Sequence, residues 1–207
     1  MLEVLSNPGG FFEKKSKEET DLKPPFRIIG TLMIISLISA YILTNKIMGS
    51  LSTEVPTVAQ LLVISLGLIV STISVMIGWL ITSSIFYLIS LFLSGQGNMT
   101  RVLEFVAYGF LPFVLSSVIS LVLMIGMYSS IDLPQDPQAI EQAMLSNPYM
   151  IASNVISIIL ALWSANIWVF AMIHSSNLTV KNALITVGVP IGVYLIYMLY
   201  TLYQALG

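Results

Sequence analysis

Few side chains in this sequence could do chemistry in an apolar setting. Arg101 and Glu104 stand three residues apart, close enough to pair on one face of a helix. Such a pair anchors a helix end, or, with Glu104 turned into a bundle, offers a cation or proton site. Asn154 and Asn166, with Ser157 and Ser164, give a later apolar run a polar flavour suited to interhelical hydrogen bonds. Together with Glu104 they could instead bound a polar cavity. His174 is the single histidine and has no HExxH or carboxylate cluster beside it, so no metal is expected. Cysteine is absent, which removes disulfides, thiolate ligands and cysteine nucleophiles. No GxSxG, SxxK or P-loop occurs, so neither an enzyme nor a cofactor is expected. Gly95-Gln96-Gly97 lacks the preceding strand and third glycine of a dinucleotide fingerprint.

The elements that must position these groups are membrane spans. Hydrophobic residues make up 57% of the chain and charged residues 9%, with a mean hydropathy of +0.93. That composition belongs to polytopic membrane proteins. A net charge of −2 gives no reason to expect nucleic acid as a partner. Residues 1–25 form a cytoplasmic or interfacial segment, and 26–207 an all-α membrane domain. In the first segment, Phe11 and Phe12 suit the headgroup region and Lys14, Lys15 and Lys17 an anionic surface. The alternative is a solvated tail. The segment is too polar for a secretory signal, and Pro24-Pro25 ends it.

Spans are expected at about 26–48, 58–94, 101–128, 149–173 and 181–203. The run from Val58 to Ser94 contains no charge and no proline, and no turn signal breaks it. As one helix it would be roughly 55 Å long, against a hydrocarbon core of about 30 Å. It must tilt, bend at Gly78 or project towards the cytoplasm. Treating it as a single span puts Lys14, Lys15, Lys17, Lys23, Arg27, Arg101 and Lys181 on one side and only Lys46 opposite. The excess of cations makes that side cytoplasmic, with the C-terminus outside. The loop 129–148 holds Asp132, Asp136 and Glu141 and suits the other side, with a short helix over 138–146. The sequons Asn98-Met-Thr and Asn177-Leu-Thr then face the cytoplasm and should remain unmodified.

Gly67, Ser71, Ser74, Gly78 and Thr82 fall on one face of the long helix. Small residues let backbones approach closely, within the monomer or as a homodimer seam. Gly188-Val-Pro190-Ile-Gly192 predicts a kink or close crossing in the last span. Pro112, inside the expected third span, would deprive the carbonyl of Tyr108 of its helical donor. The freed oxygen would bind a cation near Glu104 or mark a kink.

Three features give a resemblance. Leu5-Ser-Asn-Pro8 precedes Phe11-Phe12-Glu13-Lys14. A glycine turn at Gly95-Gln-Gly97-Asn-Met-Thr leads through Leu103 to Ala107-Tyr108 and Pro112. Five spans follow an inside N-terminus. In these the chain resembles the Yip (Ypt-interacting protein) family, in its compact archaeal and bacterial form. The resemblance implies a non-enzymatic integral membrane protein, with Gly95, Gly97, Ala107, Tyr108 and Pro112 shaping the junction of the second and third spans. Eukaryotic relatives act in vesicle traffic with Rab-type GTPases through a long cytoplasmic N-terminal region. That region has no counterpart here, so GTPase binding is not carried over. The expected role is interaction, scaffolding or membrane organisation in a prokaryotic cell membrane. Partners would be the bilayer, a second copy or another membrane protein. The competing expectation is a small transporter or channel built on Glu104, Asn154 and Asn166, with broken helices at Pro112 and Pro190.

Overall fold

The computed structural model describes residues 2–51, 56–130 and 142–206. Its helices are α1 (Glu3–Ser6), α2 (Pro8–Lys15), α3 (Lys23–Leu51), α4 (Thr57–Phe92), α5 (Met99–Tyr108), α6 (Leu111–Ser130), α7 (Pro148–Ser176) and α8 (Val180–Leu206). A further helical turn covers 142–145, and no strand occurs among the described residues. Glu54, Asp132, Asp136, Glu141 and the start of the short helix expected at 138 lie outside them.

Five helices are long and apolar enough to cross a membrane: Lys23–Gly49 of α3, then α4, α6, α7 and α8. The chain is an integral membrane protein on that ground. The expected third span, 101–128, differs from the structure. It divides into a short α5 and a spanning α6, separated by a turn at Gly109-Phe110. Sequence hydropathy does not see this division, because both pieces are apolar. Pro112 therefore sits in the first turn of α6, where a missing N–H costs nothing, and not inside a helix. The turn amides of Gly109 and Phe110 donate to the carbonyls of Val106 and Ala107.

Helix α4 has 36 residues, about 54 Å at ~1.5 Å per residue. It pairs with α3 along its first half, where Gly67 and Ser71 of the small-residue stripe face that neighbour. A Cβ on Gly67 would lie 3.0 Å from the Thr44 methyl, and the Ser36 hydroxyl donates to the carbonyl of Ser71 at 3.2 Å. Beyond that the stripe and the packing face part. Ser74 is exposed and Gly78 has open space where a side chain would go. The buried face of the second half is Trp79, Ser83, Phe86 and Ser90, one position round from Gly78 and Thr82. Helix α4 thus buries one face of the end expected to project, while Leu88 and Phe92 there remain exposed. Its first half carries the row of lipid-type exposed residues from Val58 to Ile77.

Elsewhere the bundle is joined by serine pairs. Ser116 and Ser120 of α6 meet Ser157 and Ser153 of α7 at 3.1 and 2.8 Å. Helix α7 is the central element, with Leu160, Ala161, Ser164, Ile167, Trp168, Ala171 and Met172 buried along it.

Candidate functional site

The expected junction residues gather at one end of the bundle. Asn98 caps α5 by accepting a hydrogen bond from the Arg101 amide at 2.8 Å. The preceding turn, 93–97, lies flat on the end of α7. The Gln96 amide donates to the Ser176 carbonyl at 2.8 Å, and the Asn182 side chain of α8 donates to the Leu93 carbonyl at 3.0 Å. The glycines serve this approach. A Cβ on Gly97 would collide with the carbonyl of Ser175, and one on Gly95 would stand 2.8 Å from the carbonyl of Ser90. Neither has positive φ, so close approach rather than backbone freedom requires glycine here. Asn177 closes α7 in the left-handed conformation.

Two tryptophans complete the junction. The indole of Trp168 donates to the Val106 carbonyl at 2.7 Å, and that of Trp79 to the Leu103 carbonyl at 3.1 Å. Gly109 makes room for the first, since a Cβ there would strike the Trp168 ring. Sequence reasoning missed both. The available signal was a tryptophan well inside a span, whose N–H must find a partner when buried.

The N-terminal segment docks on this junction. Asn7 caps α2 by accepting from the Gly10 amide at 3.1 Å, and Pro8 fills the first turn. Phe12 is fully buried against Phe105, with ring centroids 5.0 Å apart, and Phe11 meets Tyr108 edge-on at 4.9 Å. Val4 is also fully buried, and the Trp163 indole donates to the Leu5 carbonyl at 3.2 Å. The expected headgroup placement of Phe11 and Phe12, like the solvated tail, is thus replaced by packing against α5 and α7. The sequence showed the aromatic pair but not the apolar face of α5 that receives it.

Charge locks the segment in place. Glu104 is fully buried, with Arg101 Nη1 at 3.1 Å from Oε2 and Lys15 Nζ at 3.4 Å from Oε1. The same ammonium pairs with Glu18 at 2.7 Å. The Arg101 guanidinium also donates to the backbone carbonyls of Lys15 and Glu18, closing the end of α2, and lies over the Phe105 ring. Burial pushes the Glu104 carboxyl above its usual range, against the pull of Lys15 and Arg101. Burial alone would lower the Lys15 ammonium, but Glu18, Glu104 and Tyr108 outweigh it and hold it above the lysine range. Burial likewise raises the Tyr108 phenol. The Arg101–Glu104 pair was legible in the spacing; Lys15, from 86 residues away, was not.

The residues expected to bound a polar cavity do not come together. Glu104 is enclosed by Lys15 and Arg101, Asn154 is half-buried on α7, and Asn166 is exposed. None of the three lines either of two cavities among the described residues, of about 160 and 300 Å³.

Comparison with known proteins decides the family. The Yip1 domain matches residues 2–202, nearly the whole chain. This protein belongs to the Yip1 family. Its similarity extends to an uncharacterized protein of Methanocaldococcus jannaschii, 36% identical over 121 residues, which are 58% of this chain and 85% of the relative. No solved structure matches. The match begins at residue 2, so the docked segment lies within the Yip1 domain.

Proposed function

We propose that this Yip1-family protein is a non-enzymatic interaction or membrane-organising protein of the cell membrane, N-terminus cytoplasmic and C-terminus outside. The observation that carries the reading is the clasp on Glu104. The one buried carboxylate among the described residues is occupied by the protein's own Lys15 and Arg101 and lines neither of the two described cavities. A transporter would need that carboxylate on a pathway. Instead the clasp fixes α1 and α2 as a built face, with Glu3, Glu13, Lys14 and Lys17 outward in ion pairs. Seven of the eight cations belong to this end, and Lys46 is near the far end of α3. The positive-inside rule makes the built face cytoplasmic. A soluble or membrane partner would meet it there.

Two measurements on the intact protein test this. Purified protein in liposomes is expected to give ion flux no higher than protein-free vesicles. A photo-cross-linker at Lys17 in native membranes is expected to give discrete protein adducts, with a second copy or another membrane protein. Flux that disappears in Glu104→Gln, or the absence of any protein adduct, would overturn the reading.

A further inference from the structure

The larger of the two cavities borrows Trp168 and Phe110 from the junction for its wall but has no part in the proposed role. It is a slot of about 300 Å³ between α4, α6, α7 and α8. Its back wall is aromatic: Trp168 contacts Phe86, Phe110 and Phe113 with ring centroids 5.2 to 5.9 Å apart. Its lining includes Ile85 of α4, 39% exposed on the surface of the bundle, and the half-buried Pro190 and Tyr194 of α8. The slot therefore opens sideways, onto the face that a bilayer would cover.

Depth and chemistry specify the occupant. Thr82 lies ten residues before the end of α4 at Phe92, and Pro190 ten residues after the start of α8 at Val180. Both are about 15 Å from the charged end at ~1.5 Å per residue, half of a ~30 Å hydrocarbon core. No charged side chain lines the slot. Its polar side-chain groups are the Thr82 hydroxyl, the Tyr194 phenol and the Trp168 indole N–H, which already donates to Val106. Water needs two to four polar partners per molecule, and a space of this size would hold several at ~30 Å³ each. An apolar slot of this kind suits hydrocarbon and not water. We infer that it holds one hydrocarbon tail of a membrane lipid, entering from the leaflet at the charged end between Ile85 and Tyr194.

The test uses the full chain in phosphatidylcholine bilayers with trace lipid carrying a diazirine at mid-chain, and adducts mapped by mass spectrometry. Ile85 and Tyr194 are expected to be labelled several-fold more than Ile81 and Val189, which are exposed at similar depth outside the slot. Thr82→Phe and, separately, Ile191→Trp should fill the space and remove that excess, with Ile81 and Val189 unchanged as a check on folding. A probe with its diazirine on the headgroup should not favour Ile85 or Tyr194. Equal labelling of the four positions in the unaltered protein, or an excess that survives both filling variants, would overturn the inference. Preferential labelling of the slot by the headgroup probe would do the same.

Discussion

Glu104 shows how little of a buried charge is left to chance in this fold. One oxygen faces the Arg101 guanidinium, and the other has the Lys15 ammonium at 3.4 Å without a hydrogen bond. Breaking a buried pair by removing one member costs about 3–5 kcal/mol, because the remaining charge stays desolvated. Glu104→Ala should approach the lower end of that range, since Lys15 keeps Glu18 and Arg101 keeps two carbonyls. Glu104→Gln, which can still accept from Arg101, should cost less. Equilibrium unfolding in a fixed detergent would rank the two, and equal costs would mean the charge is idle. The pH response has a definite sign. A lysine raised in the folded state stabilises fully below its unfolded value, near 10.5, and that contribution is lost as pH rises through the higher folded value. A raised carboxyl binds more protons folded than unfolded, so its contribution is greatest below 4.5 and falls as pH rises. Mild acid should therefore not release the segment, whereas pH above the lysine range should. Spin labels on cysteines at Glu13 and Val180 would report the separation as the pH changes. Release at pH 5 with retention at pH 11 would contradict the assignment.

At the scale of elements, the break between α5 and α6 governs the junction. Gly109 admits the Trp168 ring, and that indole shares the Val106 carbonyl with the turn amide. Gly109→Ala must displace a ring packed among Phe86, Phe110 and Phe113, and overpacking of this kind typically costs about 1–3 kcal/mol. Gly97→Ala meets a backbone carbonyl, which yields less readily than a side chain, so a loss at least as large is expected. Gly188→Ala and Gly192→Ala meet nothing within 4 Å and serve as neutral controls. Thermal midpoints of the four variants in one detergent would check the ranking. The glycine turn, the proline and the Arg101–Glu104 spacing were legible because each is a local signal. The break at Gly109 was not, since the ring that packs against it belongs to a tryptophan about 60 residues away. The small-residue stripe was half legible: Gly67 and Ser71 face α3, but the buried face then moves to Trp79 and Ser83, where large side chains fill the space.

For the whole molecule, composition and charge were enough to give an all-helical membrane protein with five helices long and apolar enough to cross a membrane, because hydropathy is summed over each helix. The course of residues 2–22 was hidden, since a polar, mixed-charge sequence says nothing of a receptor surface formed by α5 and α7. Once docked, that segment turns an expected tail into part of the domain. The natural absence of cysteine makes the topology simple to check. Single cysteines at Lys17 and Gln204 should react with an impermeant maleimide from opposite sides of sealed membranes, Lys17 from the cytoplasm. Labelling of both from one side would exclude an odd number of crossings. The most direct measurement of the central claim is hydrogen exchange of the intact protein in bilayers, followed by mass spectrometry over residues 8–16. With the segment docked, those amides should be protected like those of α5, and the protection should fall in Glu104→Ala and in Lys15→Ala. Exchange at the rate of an unfolded peptide in the unaltered protein would contradict the account.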